Sequence, residues 1–262
     1  MDSTAQPLQI SLWRFCRHSL FREYGWRFFL RLALPRPIKT IRAMRAAAAL
    51  DVAGDEVVLP AGDFAPGEDG AHAIVGAGFC LKPLNPPCPS GRFNHDCLCL
   101  EHPAGADGRA VPAPCRDCVI RELGLLALRA GAAFYIMTSA RDILCDLYVP
   151  ARTRRTFAAG LFVLCRYSLR PFAVGLLVAG IRGRMWPFDR GDCRDYPTWL
   201  RADRGEKNER TEISAANLRR IREVLLAAAP ARPPGTRFEK RGQILFPLAA
   251  PAGTGTSGNG VP

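Results

Sequence analysis

The chain has 262 residues, of which 48% are hydrophobic and 23% are charged. This composition excludes a mainly disordered protein, and the length suits one large domain or two small ones. Ten cysteines exceed ordinary usage. Because arginines interrupt the N-terminal apolar residues, we expect no secretory signal, a cytoplasmic location and reduced thiols.

The formal net charge of +12 is concentrated near the N-terminus. Residues 1–50 contain nine basic and two acidic residues, a local excess of +7. Basic and aromatic residues recur at helical spacing over residues 8–34, and residues 38–50 fit a second basic helix. Residues 8–50 are therefore predicted either to bind a membrane surface, which would make the protein peripheral at the membrane, or to pack on the domain with a solvated basic face. The arginines form no strip of the kind that follows phosphates, so the pattern disfavours a nucleic-acid partner.

Residues 51–118 are predicted to form a loop-rich cysteine module. Glycine, proline, alanine and aspartate dominate residues 51–87, with one short strand candidate at Glu56–Leu59. The glycines between Val75 and Cys80 lack the third glycine and the following helix of a dinucleotide-binding fingerprint. We therefore expect this segment to be loops that lead into the module.

Short apolar runs alternate with helical patterns over residues 119–229, which predicts parallel βαβ units. The strand candidates are Phe134–Met137, Gly160–Leu164 and Arg184–Phe188, and the helix candidates are Arg116–Ala130, Ala140–Tyr148, Ser168–Ala179 and Ile213–Ala229. Residues 230–262 are rich in proline and glycine and are predicted to be a mostly disordered tail. The predicted fold class is α/β, with a small parallel Rossmann-like sheet, an inserted cysteine-rich module and a basic N-terminal helical segment.

One hydrophobic stretch also approaches the length that spans a bilayer. Phe157–Ile181 is 25 residues long, but Arg166 and Arg170 lie at its centre. Each arginine would cost about 2.5–3.5 kcal/mol on insertion. A strand followed by a buried helix accounts for the same residues without that cost.

Five cysteines lie within thirty-one residues, at positions 88, 97, 99, 115 and 118. Cys115 and Cys118 form a CxxC pair, the spacing at which a tight turn directs two sulfurs at one metal. Cys118 also opens a predicted helix, whose N–H groups favour a thiolate. Cys97 and Cys99 would face the same way on an extended segment, and Cys88 lies in a proline-bounded loop. This pattern predicts a thiolate site for a metal or a cluster.

The spacing of the module also bears on its cofactor. With a single CxxC and otherwise irregular spacing, an iron–sulfur cluster is favoured slightly over zinc, which remains open. A thiol–disulfide exchange site at Cys115 and Cys118 is a third reading. That reading expects a strand leading directly into the motif, and Val111-Pro-Ala-Pro114 is a poor strand.

Two further cysteines follow predicted strands. Cys165 comes directly after the strand that ends at Leu164, and Cys193 follows the segment that ends at Phe188. Ligands of open parallel sheets bind outside the carboxyl ends of the strands, so both cysteines are expected to face one crevice. Three nearby carboxylates could share that crevice, namely Asp189, Asp192 and Asp195.

The string Cys115-x-x-Cys118-x-Ile120-x-Glu122-Leu123 is followed by Gly131, Tyr135-Ile136, Cys165 and Gly191-Asp-Cys193. This order resembles an uncharacterised family of cysteine-rich proteins, domain of unknown function number one hundred and sixteen, over about residues 85–200. The resemblance implies metal binding on an α/β domain, with Cys115, Cys118, Cys165 and Cys193 as site residues, and implies no activity. The chain departs from the family at Cys88–Cys99, where a second CxxC-like knuckle is expected.

The sequence therefore predicts a protein that binds a metal or an iron–sulfur cluster, with no specific activity indicated. An accessory or electron-transfer role with a protein partner fits this prediction. The alternatives are an enzyme with a cysteine and carboxylate crevice, or a membrane-surface module with structural zinc. The predicted metal ligands are Cys88, Cys97, Cys99, Cys115, Cys118, Cys165 and Cys193.

Overall fold

A computed structural model describes residues 21–64, 72–102, 110–228 and 237–248. The predictions for residues 8–20, and for the tail after Leu248, lie outside these ranges.

The described chain forms a sheet with helices on both of its faces. The strands are β1 (Val57–Val58), β2 (His72–Gly78), β3 (Ala133–Met137), β4 (Phe157–Leu164), β5 (Arg182–Pro187), β6 (Phe238–Arg241) and β7 (Ile244–Pro247). The helices are α1 (the consecutive turns Phe21–Gly25, Trp26–Phe28 and Phe29–Ala33), α2 (Pro37–Ala48), α3 (Leu98–Glu101), α4 (Ala113–Arg116), α5 (Val119–Arg129), α6 (the consecutive turns Ala140–Ile143, Leu144–Tyr148 and Val149–Arg154), α7 (Leu169–Ala179), α8 (Tyr196–Asp203) and α9 (Ala215–Ala227).

The strand order across the sheet is β1-β5-β4-β2-β3-β7-β6. The four central strands β3, β2, β4 and β5 run parallel, whereas β1, β7 and β6 add antiparallel pairs at the two edges. The α/β class is confirmed, but the sheet is mixed rather than purely parallel. The Rossmann-like detail of the prediction is not confirmed. Numbered along the chain, the parallel strands stand in the order second, first, third, fourth, so the order reverses between β2 and β4.

Each face of the sheet has its own hydrophobic core. On one face, Val75 of β2 packs in the same cluster as Ile120 and Leu123 of α5. On the other face, Ile74 belongs to a cluster with residues of α6 and α7, including Phe172. Neighbouring residues of β2 thus face opposite cores, as the period of two in a strand requires.

Side-chain caps explain where several helices begin. Ser139 and Asp142 form a reciprocal capping box at the start of α6, Asp195 caps α8 through Thr198 N, and Ser214 caps α9. Each cap supplies an acceptor to an N–H group that has no partner within the helix. The observed helix α9 is accordingly shorter than the predicted helix Ile213–Ala229 and starts after its cap residue, Ser214.

One prediction for the sheet is wrong. The segment before Cys80, expected to be loops, contains β2 at the centre of the sheet. A Cβ on Gly76 would lie 2.6 Å from a ring carbon of Phe162, so the small residues of β2 leave room for the bulky side chains of β4. Residues 237–248, within the predicted tail, form the hairpin β6–β7, with Gly242 at a positive φ in its turn.

Across the described ranges, no helix is both long enough and apolar enough to span a membrane. The hydrophobic stretch Phe157–Ile181 forms β4 and α7 instead. Its two arginines bind main-chain carbonyl groups beyond α2: Arg166 donates to Gly54 O at 2.9 Å, and Arg170 donates to Leu50 O at 3.2 Å. The two arginines therefore stabilise the loop that follows α2.

Candidate functional site

The five cysteines of the module come together in the fold. Cys99 and Cys115 form a side-chain hydrogen bond, and Cys97, Cys118 and Cys88 lie close enough to interact electrostatically with them or with one another. All are buried except Cys88, which is half-buried. Three separate segments, the proline-bounded loop, α3 and the CxxC turn, therefore bring their sulfurs to one place.

The local geometry differs from the prediction at one of these cysteines. Cys97 is extended, but Cys99 lies within the short helix α3, so the two do not share an extended segment. Cys118 does open a helix, as predicted, because it is the N-cap residue of α5. Burial raises the pKa of its thiol, and the nearby main-chain N–H groups of Arg121 and Ile120 act in the opposite direction.

A buried lysine fixes the loop that carries Cys88. Lys82 is 3% exposed. Its Nζ donates to Gly91 O at 3.1 Å, to Asn94 O at 3.0 Å, to Asp96 O at 2.8 Å and to the Asn94 side chain. The thiols of Cys88, Cys97 and Cys118 lie near enough to this ammonium to interact with it. The lysine holds the loop closed and supplies positive charge beside the sulfurs.

Burial disfavours the thiolate form at four module cysteines, Cys97, Cys99, Cys115 and Cys118. It raises the pKa of Cys97 to about 12 and that of Cys115 to about 12. It also raises the pKa of Cys99 and of Cys118. A thiolate is unfavourable in low dielectric unless a positive charge compensates it. A bound cation would therefore add to the positive charge of Lys82 and favour the charged form of these sulfurs.

The sulfurs are near one another without standing in a coordination shell. In the described parts of the chain, no three histidine, cysteine or acidic side chains are arranged so that they could hold a metal ion. The electrostatic and hydrogen-bond contacts show proximity, whereas coordination also requires each sulfur to point at one centre. The module thus contains side chains that can coordinate a metal, but their sulfurs are not arranged around one centre.

A separate crevice of about 280 Å³ lies at the carboxyl ends of β2 and β4, where the strand order reverses. Cys80, Cys165 and Cys193 line it together with apolar side chains from α1, α2, α6 and α7. This is the position at which open α/β sheets bind their ligands. The predicted meeting of Cys165 and Cys193 in one crevice is confirmed.

The sulfurs of Cys165 and Cys193 form a hydrogen bond with each other. Cys165 Sγ also lies 2.8 Å from Ser168 Oγ, which accepts a hydrogen bond from Trp199 Nε1 at 2.7 Å. Lys207 Nζ lies 3.7 Å from Cys193 Sγ. The hydrogen bond from Cys165, followed by the nearby Lys207 charge, lowers the pKa of Cys193 despite its burial. Cys193 is therefore the more acidic thiol of the pair.

The three carboxylates predicted for this crevice do not line it. Asp189 accepts hydrogen bonds from Ser214 N and the Asn217 side chain, which fixes the start of α9. Asp192 accepts from the main-chain N–H groups of Arg166 and Cys193, and Asp195 caps α8. All three carboxylates are therefore engaged in local hydrogen bonds, and acidic residues after a strand commonly fix the following turn or helix in this way.

Sequence reasoning missed Lys82 in the module and three residues at or beside the crevice. Cys80 lines the crevice and interacts with Cys193 and Lys207, and its position after glycines suggested only a loop. Asp203 also lines the crevice, and no motif marks it. Lys207 lies in a charged stretch that reads as a solvated loop, yet it is 4% exposed.

A third feature is the surface of α1 and α2, called here the basic apolar face. Seven large apolar side chains on or next to these helices are exposed, namely Trp26, Phe29, Leu30, Leu34, Ile38, Ile41 and Met44. Basic residues are exposed between them, including Arg22, Arg31, Arg42 and Arg45. Contiguous exposed apolar side chains mark a contact surface.

The fold and the two cysteine groups define an α/β protein with a thiol module and a thiol-lined crevice. No family model, curated protein or solved structure matches the chain. The resemblance to the cysteine-rich family stays a prediction.

Proposed function

We propose that this chain binds a metal ion or an iron–sulfur cluster through the thiolates of Cys88, Cys97, Cys99, Cys115 and Cys118, as an accessory or electron-transfer protein. The observation that carries this proposal is the convergence of five thiols from three chain segments. Cys165 and Cys193 form their own pair at the crevice and are left out of this site.

The chemistry of the donors fits such a group. Thiolates are the usual ligands of zinc and of iron–sulfur clusters, and binding releases their protons. The cation would supply the positive charge that buried sulfurs require, and the Lys82 ammonium would offset part of the excess negative charge. The side chains would have to rotate, because their present arrangement is not a coordination shell. Four or five donors are sufficient for either cofactor.

Metal analysis tests this proposal directly. The full chain is purified anaerobically, its visible spectrum is recorded, and iron, acid-labile sulfide and zinc are measured per chain. About one zinc per chain, or iron with matching sulfide and a brown colour, supports the proposal. The absence of bound metal after reconstitution with zinc and with iron and sulfide overturns it.

A matched pair of variants assigns the site. Cys118→Ser removes a module thiol, whereas Cys145→Ser removes a half-buried thiol of α6. We expect the bound metal to fall by at least about tenfold only in Cys118→Ser, since it breaks the CxxC pair, whose two sulfurs are directed at one metal. Equal metal content in the two variants contradicts the assignment to the module.

We further propose that the basic apolar face of α1 and α2 binds anionic membrane surfaces. Ile38 is 66% exposed and Ile41 is 52% exposed, which is unusual for isoleucine in a folded domain. Arginines beside them would contact lipid phosphates while the apolar side chains enter the interface. The mixture of exposed aromatic, aliphatic and basic side chains supports a lipid partner.

Vesicle sedimentation tests this second proposal. Binding to vesicles with and without about one-third phosphatidylserine is compared for the unmodified chain, Ile38→Glu/Ile41→Glu and the control Leu226→Glu. Leu226 is also an exposed apolar residue, but it lies on α9. We expect only the double variant to lose binding to the anionic vesicles, because each glutamate opposes insertion and repels the lipid charge. Equal binding by all three proteins contradicts the proposal.

A further inference from the structure

The crevice at the sheet edge is a second site, independent of the module. Its lining is almost entirely apolar, with Phe172, Tyr148 and Phe28 among its walls. Among the described residues that line it, Asp203 is the only aspartate, glutamate, lysine, arginine or histidine. Its volume of about 280 Å³ is near the lower end of the range for ligand pockets. Such a cavity suits a small apolar molecule.

One end of the crevice is built for thiol chemistry. Cys193 Sγ receives a hydrogen bond from the Cys165 thiol and lies 3.7 Å from Lys207 Nζ. Lys207 is itself held in place, since its Nζ also donates to Gly191 O. A buried ammonium and a donating thiol stabilise a thiolate, which is the nucleophilic form of cysteine.

Residues of α1 and α2 also line the crevice. Tyr24, Phe28 and Met44 contribute to the lining there. Met44 is 43% exposed, so this wall of the crevice borders the molecular surface. An apolar molecule entering past these side chains would reach the sulfurs at the ends of β4 and β5.

We propose that this crevice binds a small apolar molecule bearing an electrophilic carbon, and that Cys193 is the nucleophile presented to that carbon. The sulfur lone pair forms the S–C bond, and the bond from the carbon to its leaving group breaks. The leaving group departs with the bonding electrons, as in acyl transfer from a thioester. No external oxidant or reductant is required, and Lys207 keeps its proton.

Two alkylating probes of different polarity test this proposal. The intact chain is treated separately with iodoacetamide and with N-octyl iodoacetamide, and the modification rate of each cysteine is followed by peptide mass spectrometry. We expect Cys193 to react faster than Cys165 with both probes, because the Lys207 ammonium lies beside Cys193 and favours its thiolate form. We also expect the octyl probe to be at least about tenfold more selective for Cys193 than iodoacetamide. Equal rates at the two cysteines, or no gain from the octyl chain, overturns the proposal.

Two variants test the nucleophile and the apolar site separately. Lys207→Met is expected to raise the pH midpoint of Cys193 alkylation and to slow the reaction near pH 7.5 by about tenfold, equivalent to a shift of one pKa unit. Because Met44 is partly exposed, the substitution Met44→Glu leaves the sulfurs in place. It is expected to slow the octyl probe while sparing iodoacetamide, and Leu226→Glu is its surface control. Unchanged octyl reactivity in folded Met44→Glu overturns the apolar site, even if Lys207→Met fails to fold.

Discussion

The guanidinium of Arg92 donates a hydrogen bond to the main-chain carbonyl oxygen of Cys80 at 3.2 Å. The same side chain donates to Glu209 O at 2.8 Å and to Lys207 O. Arg92 belongs to the loop of the thiol module, whereas Cys80 and Lys207 belong to the crevice. One side chain therefore ties the two cysteine groups together, because an arginine can reach several carbonyl groups at once.

Replacing Arg92 by methionine should destabilise the chain by about 2–4 kcal/mol, since three charge-assisted hydrogen bonds are lost and their acceptors remain partly buried. The free energy of unfolding is measured in urea. Arg92→Lys serves as the comparison and should be intermediate, because a single ammonium cannot reproduce the planar set of donors. A stability within about 0.5 kcal/mol of the unmodified chain would contradict the bridging role.

Lys82→Met should also be strongly destabilising. Four acceptors around Lys82 Nζ would lose their donor, and we expect a loss of about 2–4 kcal/mol in the free energy of unfolding. Lys240→Met is the matched control, because Lys240 reaches the same loop through Asp96 but is partly exposed. Its ion pair should contribute less than about 1 kcal/mol. Similar losses in the two variants would show that Lys82 has no special role.

The strands that could be predicted from the sequence are those with long apolar side chains. Phe134–Met137 and Gly160–Leu164 are buried on both faces, and such strands read as continuous apolar runs. β2 gave no such run because glycine and alanine make up most of its residues, and they are there to accommodate the rings of β4. The strand Phe238–Arg241 is an exposed edge whose charged side chains resemble a loop.

The residues of the candidate sites also fall into those that the sequence predicts and those that it does not. Spacing along the chain was enough to group the five module cysteines and to place Cys165 and Cys193 together. Lys82 and Lys207 could not be recognised, because a buried lysine is defined by carbonyl oxygens that distant loops bring to it. Their surroundings arise only from tertiary structure.

Asp203 predicts a specific dependence of stability on pH. Burial, followed by the nearby charges of Asp142 and Glu23, raises its pKa to about 6 against the opposing effect of a hydrogen bond from Ala140 N. The pKa of an unfolded aspartate is about 3.9. Between these values the folded state binds more protons than the unfolded state, so this group's contribution to stability falls as the pH rises from about 4 to 6.

The substitution Asp203→Asn should remove that contribution, because asparagine keeps an acceptor for Ala140 N without a titrating proton. The variant should gain about 1–2 kcal/mol over the unmodified chain at pH 7.5 and show little difference at pH 4. Unfolding in urea across this range measures the difference. A constant gap between the two proteins at all pH values would refute the assignment to Asp203.

Gly175 of α7 is expected to tolerate no side chain. A Cβ at this position would lie 2.3 Å from ring carbons of Tyr148, whose hydroxyl donates to Phe172 O at 3.2 Å. Alanine would gain about 1 kcal/mol of helix propensity, but displacement of a buried ring costs more, so Gly175→Ala should destabilise by about 1–3 kcal/mol. Gly54→Ala is the control, since its nearest neighbour would be 3.7 Å away. Because Tyr148 also lines the crevice, Gly175→Ala should slow octyl alkylation of Cys193, and an unchanged rate with unchanged stability would contradict this packing.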